Sequence, residues 1–246
     1  MTGVGETVLC QSEEDACRRT VSAVRDGDCS IAVKGIAHTD TFLRAVLNKE
    51  YGLNKGRLIS NVFAFEKPSG GLCLLTDPSI VIAPTLEQKA QMIQNCVDLA
   101  SDLGIERPKV AVIAAVETVT SSMPETIEAA ALAKMAERGQ IKNCVVDGPL
   151  ALDNAVSELA MRIKGIKSAV AGDADVLLCQ HIVVANVLSK ALSFYAGMEL
   201  AANVVGTSHP TVIVSRADSP RTRLLSIALG KVRLANTASF HTAGDK

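Results

Sequence analysis

The stretch PTVIVSRADSPRTRLLSIALG, residues 210–230, joins a β-branched run to a helix start. Residues 211–214 are typical of a strand. Ser219 followed by Pro220 predicts a helix with an N-cap and a proline in its first turn. The stretch is therefore a strand-to-helix unit, which is the building block of α/β proteins.

Strand-like and helix-like segments alternate along the rest of the chain. Strands are predicted at 30–35, 57–68, 71–78, 108–117, 143–150, 174–180 and 199–206, and helices at 39–52, 85–104, 123–140, 151–165 and 184–197. The turn sequence KPSGG makes the second and third strands a hairpin. The pattern predicts an α/β protein with a largely parallel sheet and a loose tail from residue 237.

Composition excludes several classes of function. The 246 residues carry a formal net charge of −1 and only 3% aromatic residues, which argues against a nucleic-acid or membrane surface. The seven cysteines are scattered, as expected of reduced thiols in a cytoplasmic protein. No signal peptide, membrane span or metal-ligand spacing is evident, so no metal site is predicted.

The corner at Ser215 and Arg216 is a candidate anion site. It follows the end of a strand and precedes a helix N-terminus, where free N–H groups and the positive end of the helix dipole favour an anion. Arg216 can bind phosphate oxygens through two parallel hydrogen bonds. The alternative is a solvated helix start with ordinary surface arginines.

Two further strand ends carry candidate residues. Lys34 ends one strand, and Thr39 and Arg44 open the helix after it. Near residue 150, the candidates are Asp147, Gly148, Pro149 and Asp153, with Gly148 and Pro149 expected to form a turn after the strand. For the residues near 150, the alternative is a capping Asp and a rigid turn, which the local pattern by itself favours.

Several long motifs resemble the phosphate acetyl/butyryltransferase family, most closely its phosphate butyryltransferase branch. The resemblance rests on KGIAHTDTFLRAVLNKEYGL, AAVETV, MPETIEAAALAKMAERGQI, VVDGPLALDNAVS, VAGDADVLL and VVGTSHPTVIVSRADS, in order from about Lys34 to Val232. It implies transfer of a short-chain acyl group between coenzyme A and inorganic phosphate, giving an acyl phosphate.

The resemblance also implies the architecture. A two-lobed fold like that of the isocitrate/isopropylmalate dehydrogenases is expected, with residues 1–106 and 210–246 in the first lobe and residues 107–209 in the second. The first lobe is expected to be short at its N-terminus. A homodimer in the cytoplasm is implied, with a metabolic link to an acyl (butyrate or acetate) kinase and no partner among nucleic acids or membranes.

The resemblance places Ser215 and Arg216 at the reaction centre, with Arg216 holding phosphate and Ser215 orienting a reacting oxygen. The other residues implied to line the cleft are Lys34, Thr39, Arg44 and Ser60 from the first lobe and Asp147, Gly148, Pro149 and Asp153 from the second. Arg221 and Arg223 are expected on the helix surface. Coenzyme A is a substrate, and no metal or other cofactor is implied.

The sequence departs from the family pattern at several cleft positions. Val81 replaces a usual Asn, while Gln180, Val183 and Ala185 replace Pro, Glu and Gly. The acidic residue often found after the Ser-Arg corner is not evident, because Arg221 and Thr222 stand there. These departures leave open a non-catalytic relative that binds CoA or acyl phosphate. A metal-dependent dehydrogenase on a related fold is a third alternative, which would need clustered carboxylates.

Overall fold

One eight-stranded sheet with helices on both faces organises the computed structural model, which describes residues 5–54 and 56–242. The strands are β1 (Ala32–Val33), β2 (Ser60–Glu66), β3 (Leu72–Thr76), β4 (Lys109–Ile113), β5 (Val145–Leu150), β6 (Val176–Cys179), β7 (Ala201–Val205) and β8 (Thr211–Val212). The helices are α1 (Glu13–Arg25), α2 (Thr39–Leu47), α3 (Leu86–Asp102), α4 (Pro124–Glu137), α5 (Leu152–Val156), α6 (Glu158–Ile163), α7 (Ile182–Lys190) and α8 (Pro220–Thr242). A π-helical turn (Ala191–Tyr195) extends α7.

The strand order is β1-β8-β7-β2-β3-β6-β4-β5. Strands β3, β4, β5, β6 and β7 run in one direction, and β1, β2 and β8 run in the other. Four of the seven neighbouring pairs within the described residues are parallel. The prediction of an α/β protein with a largely parallel sheet is therefore confirmed.

Alternate residues of the central strands fill two cores. Val110 and Val112 of β4 pack on one face of the sheet with buried residues of α3 and α4. Ala111 and Ile113 pack on the other face with buried residues of α5 and α7. Because side chains along a strand alternate between faces, a buried strand needs apolar residues at every position. The apolar composition of β4 and β6 meets that requirement.

The predicted hairpin and the second predicted helix are both confirmed. β2 and β3 pair antiparallel, and the amide of Lys67 donates to the carbonyl oxygen of Gly71 at 2.8 Å in the turn between them. α3 begins after Thr85, whose side chain forms a capping box with Gln88. It ends before Gly104, whose φ of +82° suits a glycine.

Other boundaries differ from the sequence-based expectation. Gly148 and Pro149 lie inside β5 rather than in a turn after it, and the bond between them is cis. The helix predicted at 151–165 breaks into α5 and α6 at Ser157, whose side chain caps α6. Helix α1 had no sequence-based prediction.

The expectation of a loose tail from residue 237 is wrong as far as Thr242, where α8 ends. Just before the predicted tail, Asn236 donates to the backbone oxygen of Asp102 at 2.6 Å and holds α8 against α3. Residues 243–246 of the predicted tail lie outside the described residues.

The division into two lobes stays a prediction. The sheet continues through both proposed parts, because β7 from the second part lies between β8 and β2 of the first. In the described part of the chain, no helix has the length and apolarity needed to cross a bilayer.

Candidate active site

Two of the predicted strand-end corners meet at one edge of the sheet. β1 and β8 are parallel neighbours, with Val33 opposite Val212. The amide of Lys34 donates to the oxygen of Val212 at 3.0 Å, so Lys34 continues this ladder. Because the carboxyl ends of parallel strands share an edge, Lys34 and the Ser215 corner leave the sheet on the same side.

Lys34 is buried at this corner, with only 3% of its surface exposed. Its Nζ donates to the carbonyl oxygens of Gly35 at 3.2 Å and Ala37 at 3.0 Å. Burial lowers the pKa of Lys34, and the positive charges of Arg216 and Arg223 lower it further. Three cationic side chains thus act on one another at this corner.

Arg216 and Arg223 have no carboxylate ion-pair partner among the described residues. Arg223 donates to the backbone oxygen of Arg216 at 3.3 Å, which holds the two residues together. Arg221 instead points away and forms an ion pair with Glu199 at 3.1 Å. The expected surface position is confirmed for both Arg221 and Arg223, which are exposed. Arg223 also reaches back to the corner through its hydrogen bond to Arg216.

Ser215 is held by an acidic residue that the sequence reasoning overlooked. Asp218 accepts a hydrogen bond from the amide of Ser215 at 2.7 Å. Arg221 and Thr222 still occupy the position where the family often has an acid. Immediately after Asp218, the Oγ of Ser219 accepts from the amide of Thr222 at 3.0 Å and caps α8. The turn between β8 and α8 is therefore fixed at both ends.

A cavity of about 490 Å³ opens beside Ser215. Its wall is built from five parts of the fold: the chain after β8, the start of α2, strand β2, the loop after β3, and one face of α7. The lining residues are Thr39, Phe63, Pro78, Ser79, Ile182, Val183, Asn186, Val187, Ser189, Lys190, Ile213, Val214 and Ser215. Thr39 and Ser215 are the two predicted site residues that this cavity brings together.

The loop after β3 is held by the buried carboxylate of Asp77, which is 1% exposed. Its two oxygens accept from the backbone amides of Asn61, Ser79, Ile80 and Val81 at 2.7–3.2 Å. Burial raises the pKa of Asp77, while these four hydrogen bonds act in the opposite direction. The loop that presents Ser79 to the cavity is consequently well fixed.

Helix α7 contributes cavity-lining residues that the sequence analysis did not place at the site. Val183, Asn186, Val187 and Lys190 follow helical spacing and all line the cavity. Lys190 lies 3.9 Å from Asp218, measured from Nζ to Oδ1, so it stands close to the turn that carries Ser215. The spacing of Asn186 and Lys190, one turn apart on a predicted helix, was the available signal.

Most departures from the family pattern have a structural explanation. Gln180 donates to the oxygen of Ile113 at 3.0 Å and accepts from the buried Lys89 at 3.1 Å. Ala185 is fully buried in the core. Val183 faces the cavity and is 57% exposed, so it makes this wall apolar where an acid was expected.

Several predicted cleft residues lie away from this cavity. Arg44 forms an ion pair with Asp40 at 2.6 Å on the exposed side of α2. Ser60 is fully buried and accepts from the side chain of Asn95 at 3.2 Å. The prediction that these residues share a cleft with Ser215 differs from the structure, because α2 turns Arg44 outward and β2 points Ser60 into the core.

The predicted second-lobe wall is also elsewhere. Asp147 and Gly148 line a separate cavity of about 570 Å³ together with Arg107 and Lys134. Asp153 forms an ion pair with Lys164 at 3.0 Å. Pro149 lies in β5, which forms one edge of the sheet, whereas β8 lies near the other edge. Strand order separates these residues from Ser215, and their roles stay predictions.

The arrangement suits a ligand that is anionic at one end and apolar at the other. Lys34, Arg216 and Arg223 supply positive charge beside Ser215, while Val183 and Val187 supply an apolar wall. Among the described residues, no three His, Cys, Asp or Glu side chains come together as metal ligands would.

Comparison with known proteins places these features in context. The sequence profile of the family described as phosphate acetyl/butaryl transferase matches residues 2–230. Phosphate acetyltransferase of Thermotoga maritima is 48% identical over 89% of this chain and 75% of its own length. Phosphate butyryltransferase of Clostridium acetobutylicum is 46% identical over 90% of this chain and 74% of its own.

A solved structure is similar in fold as well as in sequence. The crystal structure of a branched-chain phosphotransacylase from Enterococcus faecalis V583 superimposes with a TM-score of 0.88 at 32% identity. The match covers 95% of this chain and 84% of that chain.

Proposed function

Because this chain belongs to the phosphate acetyl/butaryl transferase family and is a phosphate acyltransferase, we propose that it transfers a short-chain acyl group between coenzyme A and inorganic phosphate. Acyl-CoA and phosphate are the substrates, and acyl phosphate and free CoA are the products. No metal or further cofactor takes part in the proposed reaction.

The reaction consists of one nucleophilic substitution at the thioester carbon. An oxygen of hydrogen phosphate attacks that carbon, and the carbonyl electron pair moves onto oxygen to give a tetrahedral oxyanion. The pair then returns, the C–S bond breaks, and the sulfur of CoA takes up the proton that hydrogen phosphate gives up. Holding phosphate and thioester in line supplies a large part of such a rate.

The observation that carries this proposal is the group of three cations at the Ser215 corner, Lys34, Arg216 and Arg223, none of which forms an ion pair with a carboxylate within the described residues. Arg216 binds phosphate with its fork of N–H donors, and Lys34 and Arg223 add positive charge around it. Ser215, held by Asp218, orients a reacting oxygen from the same turn. Phosphate needs several donors at once, and this corner supplies them.

The acyl group occupies the apolar part of the cavity along α7. Val183 and Val187 line this side, and Thr39 closes it from α2. An apolar wall without a carboxylate suits an uncharged acyl chain. We propose a butyryl or similarly short chain, straight or branched, because the similar proteins are named for acetyl, butyryl and branched-chain groups.

We also propose that the protein is a homodimer with the two-lobed architecture implied by the sequence. The support for a dimer is the apolar surface at the end of α7, where Phe194 and Tyr195 are exposed, Tyr195 to 95%. Sedimentation analysis of the wild-type chain and of a Tyr195→Glu variant tests this. A dimer that the substitution weakens supports the assignment, and a wild-type monomer contradicts it.

The proposed location is the cytoplasm, where thiols stay reduced. The seven cysteines are all free in the structure, and five of them are buried. Acyl phosphate is a reactive phosphoryl donor, so an acyl kinase is the class of enzyme we propose to consume it.

The test is phosphate-dependent release of CoA thiol, followed with a thiol reagent. A panel of acetyl-, propionyl-, butyryl- and isobutyryl-CoA identifies the preferred chain, and reactions without phosphate measure background hydrolysis. We expect saturable release that depends on both substrates. A folded sample that binds CoA in calorimetry but releases no thiol from any acyl-CoA would instead indicate a non-catalytic relative.

A further inference from the structure

Ser79 is a cavity-lining hydroxyl that no family motif singled out. It lies in the loop after β3 and faces the same cavity as Ser215. Its backbone amide donates to Asp77 at 2.7 Å, and its Oγ accepts a hydrogen bond from Nδ2 of Asn61 at 2.7 Å. Hydrogen bonds from Asn61 and to Asp77 thus fix both the side chain and the backbone of Ser79.

The hydrogen bond from Asn61 leaves the hydroxyl proton of Ser79 free. A serine hydroxyl has one proton to donate, and an oxygen that accepts from an amide keeps that proton for another partner. Ser189, which lines the same cavity from α7, contrasts with it because its hydroxyl donates to the oxygen of Asn186 at 2.8 Å. Ser79 therefore retains a hydroxyl proton that it can donate to a ligand in the cavity that it lines.

Asn61 is a buried residue that fixes this donor. It is 1% exposed, and its Oδ1 has no hydrogen-bond partner although it is shielded from solvent. Leaving a buried polar atom unpaired costs free energy. The Nδ2 donor of Asn61 is therefore held against the Ser79 hydroxyl at some cost to the stability of the fold, as is common at preorganised sites.

Ser79 also stands close to a position where the family pattern is broken. Val81 replaces a usual Asn two residues later in the same loop. The amide of Val81 donates to Asp77 at 3.2 Å, so this loop residue still has a fixed backbone but no polar side chain. Ser79 supplies a polar group to the cavity from that same loop.

The loop that carries Ser79 packs on the apolar side of the cavity. Asn186 of α7 donates to the oxygen of Pro78 at 3.0 Å, and the amide of Ile182 donates to the oxygen of Ile82 at 2.9 Å. These contacts place Ser79 beside the wall assigned above to the acyl group. The cations assigned to phosphate belong to other elements, β1 and α8 with the turn before it.

We propose that Ser79 is a catalytic residue that donates a hydrogen bond to the acyl carbonyl oxygen as it becomes an oxyanion, and that Asn61 is its positioning residue. This inference rests on the proposed acyl transfer. When phosphate attacks the carbonyl carbon, the electron pair of the C=O bond moves onto oxygen, and the Ser79 hydroxyl stabilises that charge without giving up its proton. A donor placed where negative charge develops stabilises the transition state more than the substrate, and so accelerates the attack of phosphate on the carbonyl carbon.

The first test is the steady-state kinetics of Ser79→Ala. Because the hydroxyl acts on charge that develops in the transition state, kcat falls about 10- to 100-fold while KM for phosphate changes less than about threefold. Ser79→Thr keeps a hydroxyl and recovers part of the loss. Ser69→Ala, in the exposed hairpin turn, serves as the matched control and keeps the wild-type kcat.

The second test is a double-mutant cycle with Asn61→Ala. If Asn61 acts through Ser79, its substitution lowers kcat in the wild-type background and has no further effect in the Ser79→Ala background. Thermal unfolding of each variant checks that the loop remains folded. Equal, additive losses from the two substitutions would show that Asn61 does not act through Ser79.

The inference is overturned if Ser79→Ala keeps the wild-type kcat, or if it raises only KM for phosphate. Either result leaves the proposed function intact, because the wild-type enzyme still releases CoA in a phosphate-dependent manner. Failure of the wild-type enzyme to release CoA from any acyl-CoA would instead contradict the proposed function, and with it this role of Ser79.

Discussion

The carboxylate of Asp218 accepts a hydrogen bond from the backbone amide of Ser215 at 2.7 Å, which closes the turn between β8 and α8. The other oxygen of the same carboxylate lies 3.9 Å from Nζ of Lys190 on α7. Asp218 therefore connects the proposed reaction centre to the helix that forms the apolar wall. The turn, the helix and the cavity between them are held in one arrangement.

Replacing Asp218 should misplace Ser215. We expect Asp218→Ala to lower kcat/KM about 10- to 100-fold, because small errors in the position of reacting groups are costly. Asp218→Asn retains an oxygen acceptor for the Ser215 amide and should fall between the wild-type enzyme and the alanine variant. Wild-type kinetics for Asp218→Ala would contradict a positioning role.

Arg216 should be essential for turnover. Arg216→Ala removes the proposed phosphate fork, and we expect at least about a 100-fold fall in kcat/KM for phosphate. Arg221→Ala is the matched control, because Arg221 lies on the same helix start but is paired with Glu199 at the surface. Equal activity of the two variants would remove Arg216 from the phosphate site.

The alkaline limb of the pH profile should report Lys34. Its pKa is lowered by burial and by Arg216 and Arg223, so its charge is present below that lowered pKa and is lost as pH rises through it. We expect kcat/KM for phosphate to fall at a pH below the ordinary lysine pKa. Measurement across the alkaline range determines the midpoint.

Two variants identify the group that titrates. Lys34→Arg keeps its charge throughout and should abolish the limb. Arg216→Ala removes one positive neighbour and should move the midpoint of its residual activity to higher pH. A limb that neither substitution moves would belong to another group.

Asp77 should matter for stability. Asp77→Asn replaces a buried carboxylate that accepts four backbone N–H groups with an amide that has one acceptor oxygen. We expect a loss of about 3 kcal/mol in the free energy of unfolding, measured by urea denaturation. Asp98→Asn is the control, since its exposed pair with Arg57 should contribute less than about 1 kcal/mol.

The sequence by itself determined the local units of this protein. The hairpin of β2 and β3, the capped start of α3 and the strand-to-helix corner at Ser215 follow from turn residues, caps and hydrophobic periodicity, which neighbouring residues encode. Predictions from neighbouring residues failed where contacts with residues distant in the chain determine the conformation. Pairing with β4 keeps Gly148 and Pro149 within a strand rather than in a turn.

Only the tertiary structure decided which corners meet. Parallel pairing of β1 with β8 brings Lys34 to Ser215, although 181 positions separate them along the chain. Because of the strand order, Asp147 lines a different cavity. Ser79 in the loop after β3 and Lys190 on α7 line the cavity beside Ser215. Strand order and direction depend on pairings between distant residues, whose energies no short stretch of sequence contains.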